Sequence, residues 1–426
     1  MDELSRRQFM VNAARSYLGV SVAPMLGASL ATQVSAQNIR PGAKAKSVIF
    51  LNMAGGMSHI DTFDVKPKSK SIQGPTEVVD TNVPGIQIAK NLEKTGQVMD
   101  KLCVINSMTS TQGAHEQGQY QLHKNYAPRG TIVHPSLGSW VLKLGGRINE
   151  SIPGYVAVRS NAGSVSGGFF GANYSAVPIG QATEGLKNSL RHGSVSEADF
   201  DARLSLASKL NAEFHSQYNQ KQVKAYDGLY QEAVKLMKSE DLKAFDITQE
   251  PSEVKAAYGE GQFNQGCLLA RRLVQHGVRF VEVTLEGWDT HYDNFNEVRN
   301  RCQILDQAYA TLIQDLEKNG LLDSTVVALG TEFGRTPEIK EDHNMGRDHH
   351  PQAFTCVLAG GGIKGGQLYG STDRRGKKVA EKPVTHQNFS ATIGHALGLD
   401  LNKTVYSPSK RPFWIADKAE PISEIF

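Results

Sequence analysis

Residues 278–291 read Val278-Arg279-Phe280-Val281-Glu282-Val283-Thr284-Leu285-Glu286-Gly287-Trp288-Asp289-Thr290-His291. The first eight positions form a nearly continuous apolar run rich in β-branched residues, as expected of a strand buried on both faces. An amphipathic helix follows. Between Glu297 and Glu317, Ile304, Leu305, Ala308, Tyr309, Leu312, Ile313 and Leu316 recur at helical spacing, and Gly320 ends the pattern. A further apolar run at 324–329 comes next. Strand, helix, strand in that order argues for an α/β fold: a mostly parallel sheet sandwiched by helices.

Reading outward, apolar runs at 46–53, 101–108 and 353–358 supply three more strands. Residues 264–276, closed by Gly277, and residues 115–126 supply helices. The middle of the chain differs. Residues 153–193 are rich in Gly, Ser, Asn and Ala and read as a loop-rich cover over the sheet edge. Residues 196–248 are charged and helical, with Leu204, Leu206, Leu210 and Phe214 at helical spacings. The expected organisation is one α/β domain over 37–426, with an insertion at 150–260 that is not an independent domain.

The 426 residues carry 46 Lys and Arg against 43 Asp and Glu, a net charge of +3. That balance excludes a strongly basic nucleic-acid binder and an acidic solvating chain. With 39% apolar and 21% charged residues, the chain can bury a sizeable core. Beyond the N-terminal segment, no apolar stretch is long and clean enough to span a bilayer. Cys103, Cys267, Cys302 and Cys356 are scattered, with no C-x-x-C pair, so zinc-finger and redox motifs are absent. They read as buried small hydrophobes, with one disulfide left open for an oxidising compartment.

The N-terminus reads as an address. Ser5-Arg6-Arg7-Gln8-Phe9-Met10 precedes a moderately apolar run from Val11 to Ala31, and Val34-Ser35-Ala36 supplies a small-x-small cleavage site. The paired arginines with Phe9 resemble a twin-arginine signal over residues 1–36, which implies the twin-arginine machinery as a partner and a periplasmic or otherwise exported location. The bland alternative is a basic first helix.

In open α/β sheets, ligands bind outside the carboxyl ends of the strands, so the residues after each strand carry the functional reading. Gly55-Gly56-Met57-Ser58-His59-Ile60-Asp61 follows the first run, and Thr109-Ser110-Thr111-Gln112-Gly113-Ala114-His115 the second. Asp289-Thr290-His291 follows the third, Thr331-Glu332-Phe333-Gly334-Arg335 the fourth, and Arg347-Asp348-His349-His350 precedes the fifth. Carboxylates mixed with imidazoles suit Zn, Mn or Fe, and carboxylates alone suit Mg or Ca. Each piece also has a plain reading. Asp289-Thr290-His291 fits an Asx turn, Glu332 a cap with Arg335 as its ion-pair partner, and Thr109, Ser110 or Thr111 a helix N-cap. The functional alternative makes Thr109 or Ser110 a nucleophile and Arg335 an anion holder.

Taken together, Gly55-Gly56-Met57-Ser58-His59-Ile60-Asp61-Thr62-Phe63-Asp64, Trp288-Asp289-Thr290-His291, Glu332-Phe333-Gly334-Arg335-Thr336-Pro337, Gly346-Arg347-Asp348-His349 and Ala359-Gly360-Gly361-Gly362-Ile363-Lys364-Gly365-Gly366 resemble the exported family catalogued as domain of unknown function 1501. That family resembles the alkaline phosphatase and sulfatase superfamily. The resemblance implies a one- or two-metal site at the strand ends. It places Asp61, Asp289, His291, Glu332 and His349 as metal ligands and Thr109 or Ser110 as nucleophile; the residues themselves add Asp348 to the ligands and put Arg335 on the anion. Phe333 stands where a ligand His would be. The implied function is a metal-dependent hydrolase of phosphate or sulfate esters that uses Zn, Mn or Ca and acts on a small anionic ester or a sulfated or phosphorylated substrate. The alternative is a non-catalytic binding protein with a degenerate metal site. Asp289, His291, Glu332, Asp348 and His349 are expected to share one pocket, where crowding of carboxylates would raise the pKa of one of them.

The export reading has a direct test. With Arg6→Lys and Arg7→Lys together, the precursor should stay in the cytoplasm on cell fractionation; undiminished delivery to the periplasm would refute it.

Overall fold

The computed structural model describes residues 39–186, 189, 192–217 and 234–426. The signal expected over residues 1–36 lies outside them. In chain order the central sheet holds β1 (Ser47–Ala54), β2 (Leu102–Thr109), β3 (Tyr155–Val158), β4 (Val177–Ile179), β5 (Phe280–Glu286), β6 (Thr325–Gly330), β7 (Phe354–Gly360), β8 (Gln367–Tyr369) and β9 (Val384–Thr385). Their order across the sheet is β8-β2-β7-β6-β1-β5-β3-β4, with β9 also pairing β2. All pairs are parallel except those of β7, which runs antiparallel to both β2 and β6.

The five apolar runs are the five central strands, because an apolar strand buried on both faces belongs in the middle of a helix-covered sheet. On β1, Val48 and Phe50 join one core while Ile49, Leu51 and Met53 join the other. The helices are α1 (His115–Lys124), α2 (Leu137–Gly145), α3 (Glu197–Gln217), α4 (Gln262–Gln275), α5 (Asn294–Lys318) and α6 (His386–Ala396). Leu268 and Leu273 of α4 pack with Leu305, Leu312 and Leu316 of α5 against the Leu51 face. Leu122 of α1, Trp140 of α2 and Phe389 of α6 cover the Phe50 face. Gly266 lets α4 lie close on β5, since a Cβ there would stand 2.8 Å from Val283 Cγ1. Glu282, the acid in the middle of β5, is matched across the Phe50 face by buried His123, with Nε2 3.1 Å from Oε1. All four cysteines are buried and unpaired. Among the described residues no helix is long and apolar enough to cross a membrane.

One expectation needs correction, and one strand departs in direction from the rest. The stretch read as loop-rich cover contains β3 and β4, which extend the sheet beyond β5, so it is built into the sheet edge. These strands have only four and three residues and are flanked by Gly and Ser, which hides them from a periodicity reading. The run at 353–358 does form a strand, but an antiparallel one. No crossover helix separates β6 from β7, and a connection without one returns the chain in the opposite sense. The reversal matters for function: it brings the residues that precede β7 to the carboxyl edge of the parallel strands.

The loops at that edge are fastened by a buried ion pair. Arg347 Nε lies 2.8 Å from Asp61 Oδ2, and both side chains are fully buried. Asp61 also accepts from Ser58 Oγ at 2.6 Å, Thr76 Oγ1 at 3.1 Å and Asn294 Nδ2 at 2.9 Å. Asp61 is therefore not the metal ligand expected from its place after β1; its oxygens are already committed to Arg347 and these neutral donors. Asp61→Asn would strand the Arg347 cation in the interior, so urea unfolding should show a loss of about 3–5 kcal/mol.

Candidate metal centre

Four side chains meet above the carboxyl ends of β1, β5 and β6. Asp289 and His291 follow β5, His115 opens α1, and His349 stands in a two-residue ladder with Arg335 ahead of β7. Ligand atoms of His115, Asp289 and His349 lie within 4.8 Å of one another, the only such group among the described residues. Asp289 Oδ1 is the hub, 3.2 Å from His115 Nε2, 3.2 Å from His291 Nε2 and 3.5 Å from His349 Nε2. The polypeptide closes in tightly here: at Gly55, with φ of +119°, a Cβ would stand 2.6 Å from Asp289 N.

Each imidazole is turned by an acceptor on its far side. His115 Nδ1 faces Glu332 Oε1 at 2.7 Å, His291 Nδ1 faces Asp348 Oδ1 at 3.0 Å, and His349 Nδ1 faces the Gly113 carbonyl at 2.7 Å. A carboxylate or carbonyl can only accept, so each Nδ1 carries the hydrogen and, in the neutral ring, each Nε2 is left as a lone pair. His115 Nε2 accordingly has no hydrogen-bond partner; it lies close to Asp289 but outside hydrogen-bond geometry. His291 Nε2 and His349 Nε2 face each other at 2.9 Å. That is a hydrogen bond if one ring carries a second proton; with neither nitrogen protonated, the two lone pairs repel unless a cation sits beside them. A divalent transition ion meets that need, and imidazoles backed by carboxylates are the usual surroundings for one. The donor set therefore fits a metal such as zinc.

Glu332 and Asp348, expected as ligands, stand one layer out. Glu332 is buried and accepts from Gly55 N at 3.0 Å and Gln119 Nε2 at 2.8 Å as well as from His115. Asp348 is shared between His291 and the Lys340 ammonium. His115, absent from the candidate ligands of the sequence, joins this cluster, and its place just beyond β2 is the signal that points to it. Phe333, at the position of an expected ligand His, instead backs the rings of His115 and His349, with centroids 5.0 and 4.6 Å away.

The catalytic expectations also change. Arg335 is fully buried and donates to Gly56 O at 3.0 Å, Arg347 O at 3.2 Å, Gly55 O, and Asp289 Oδ1 at 2.6 Å. With its donors so occupied, it positions Asp289 and is not free to hold a substrate anion. Thr109 Oγ1 reaches only Pro351 O, at 3.5 Å, and Ser110 Oγ pairs with Gln121 Oε1 at 3.1 Å. Neither hydroxyl has a carboxylate or imidazole partner to take its proton.

Crowding does not raise a carboxyl pKa as expected. Partial burial would raise that of Asp289, but the hydrogen bond and charge of Arg335, then the charge of His115, hold it down to about 2. Asp348 is lowered chiefly by its hydrogen bond to Lys340. For His115, burial lowers the pKa, yet Glu332 and then Asp289 outweigh it and leave the imidazole above its ordinary value.

Because Glu332 orients His115 from outside, Glu332→Gln should weaken zinc binding by about 10–100-fold without unfolding the chain. Competition with a chromophoric chelator measures this, and unchanged affinity would show that Glu332 plays no part in holding the imidazole.

Solved structures that resemble this one do so at low identity. The soluble domain of lipooligosaccharide phosphoethanolamine transferase A from Neisseria meningitidis is 11% identical, with 88% of this chain and 92% of that one covered and a TM-score of 0.43. The lipoteichoic acid synthase LtaP from Listeria monocytogenes is 11% identical, with 92% and 79% covered and a TM-score of 0.38. The PsFucS1 sulfatase from Pseudoalteromonas sp. is 12% identical, with 84% and 68% covered and a TM-score of 0.38. No curated protein matches the sequence. The family described as Protein of unknown function (DUF1501) matches residues 45–426, nearly the whole described chain, and the protein belongs to that family.

Proposed function

We propose that this protein is an exported, metal-dependent hydrolase of phosphate or sulfate esters. The observation that carries the reading is the convergence of three imidazole Nε2 atoms, each with its Nδ1 held by an acceptor, around Asp289 Oδ1. His115, Asp289, His291 and His349 would hold the ion. When bound, it supplies Lewis acidity toward the non-bridging oxygens of the ester.

The chain's own groups do the rest. Arg335 keeps Asp289 ionised and fixed. Glu332, Asp348 and the Gly113 carbonyl keep the three rings aimed. The outer face is open, with the Asp289 side chain 49% exposed, while Glu332 behind it is 1% exposed. An ester can thus approach from solvent while Glu332 and Arg335 stay dry. Since neither Thr109 nor Ser110 has a base beside it, the attacking oxygen comes from solvent water. The water oxygen bonds to phosphorus or sulfur as the bond to the leaving alcohol oxygen breaks, a water proton passes to that oxygen through solvent, and the products are the alcohol and the inorganic anion.

Purified protein should hydrolyse an aryl phosphate or aryl sulfate in a chelator-sensitive manner. Asp289→Ala should lower turnover by about 100-fold or more. A Thr109→Ala, Ser110→Ala double variant should keep most of its turnover. Loss of activity in that double variant with metal retained would restore a hydroxyl nucleophile. Tight metal binding with no turnover on any such ester would instead favour a binding protein that keeps the site.

A further inference from the structure

Resting on the metal-centre reading above, we infer that the site takes a single ion, and that the Arg335 guanidinium occupies the place of a second cation. The argument begins with the guanidinium's surroundings. It is enclosed by the carbonyl oxygens of Gly55, Gly56 and Arg347 and by Asp289 Oδ1. Those are four oxygens from three separate loops, with no nitrogen or sulfur among them. An all-oxygen shell containing one carboxylate is what a hard cation such as Ca²⁺ takes. Here a fully buried arginine fills it.

The neighbouring acids leave no room for another ion. Asp61 is spent on Arg347 and its neutral donors, Glu332 on His115, Gly55 N and Gln119, and Asp348 on His291 and Lys340. Asp289 Oδ1 is therefore the one carboxylate oxygen facing the imidazole nitrogens, and it is shared between them and Arg335. A second ion bridging through Asp289 would have to displace a guanidinium that has no other place to go. The nitrogen-rich side, by contrast, suits zinc over Ca²⁺ or Mg²⁺. The two halves of the site thus differ in kind: a soft half open to one exchangeable ion, and a hard half closed by a covalently tethered cation.

The test is metal stoichiometry on the full chain, independent of turnover. Wild-type protein dialysed against buffer containing both Zn²⁺ and Ca²⁺ should retain one zinc and no calcium per chain by elemental mass spectrometry. Cobalt substituted for zinc should titrate to a single equivalent in its visible d–d absorption. Arg335→Ala removes the tethered cation and exposes the oxygen shell. That variant should gain a calcium response, with a Tm raised by roughly 5 °C at saturating Ca²⁺, while the wild type shows none. Arg335→Lys, which retains a cation, should behave as the wild type does. Two tightly held ions in the wild type would overturn this inference and leave the hydrolase reading standing. Absence of any bound ion would remove both. A folded Arg335→Ala with no calcium response would show that the oxygen shell is no cation site; should that variant fail to fold, the wild-type stoichiometry decides alone.

Discussion

The guanidinium of Arg335 is the constraint on which the functional edge of this protein depends. Residing just beyond β6, it binds the turn after β1 through Gly55 and Gly56, the loop after β5 through Asp289, and the segment ahead of β7 through Arg347. A charged group buried this deeply is tolerable only when its donors are satisfied and a counter-charge is at hand. Both conditions are met by backbone and side chain from the loops that must meet if a site is to exist. The four bonds that satisfy the buried Arg335 charge therefore also hold the segments after β1 and β5 and ahead of β7 together beside β6. Arg347 repeats the device one layer deeper, pairing with Asp61 and reaching the carbonyls of Ile72 and Pro337.

The sequence was legible where burial is symmetrical. The runs at 46–53, 101–108, 278–285 and 324–329 are apolar because both faces of the sheet are covered, and an unbroken apolar run needs no alternation to be read as a strand. It was less legible where an element is short or its direction is set from elsewhere. Tyr155–Val158 and Val177–Ile179 take their place from pairing with β5 and with each other, a tertiary fact that four or three residues cannot announce. The antiparallel sense of Phe354–Gly360 follows from what precedes it, a connection without a crossover helix, and not from its own composition.

The same division runs through the site. Asp289, His291 and His349 could be picked out because carboxylates and imidazoles gathered at strand ends are unusual company for a plain turn. Which of the neighbouring acids faces the centre and which stands behind it could not be read, because an inner carboxylate and one that orients a ligand imidazole are the same residue types at the same loop positions. Glu332 and Asp348 illustrate this: each is bonded to the Nδ1 of a ring whose Nε2 does the facing. Arg335 was misread for a related reason. A guanidinium beside a carboxylate looks in sequence like an anion holder, and only its complete burial and its bonds to Gly55, Gly56 and Arg347 show otherwise. His115 is hard to single out because the hydroxyls of Thr109, Ser110 and Thr111 before it carry both an N-cap and a nucleophile reading, and an imidazole at a helix start carries neither.

Exposure explains why these layers differ in role. Between Glu332, with 1% of its side chain accessible, and Asp289, with 49%, lies only one imidazole. On the dry side an ionised carboxylate must be fully bonded, and Glu332 spends its oxygens on His115, Gly55 N, Gln119 and Thr331. On the wet side water can complete what the protein leaves unbonded, so Asp289 can keep lone pairs in reserve without destabilising the fold. Rigid rings bridge the two sides. Of their acceptors only Glu332 is buried, while Asp348 is half-buried and Gly113 is exposed, so His115 alone takes its orientation from the dry side. The geometry around Asp289 is therefore fixed from the interior at His115, through Glu332, and at Asp289 itself, through the buried Arg335, while His291 and His349 are held by groups that water can also reach.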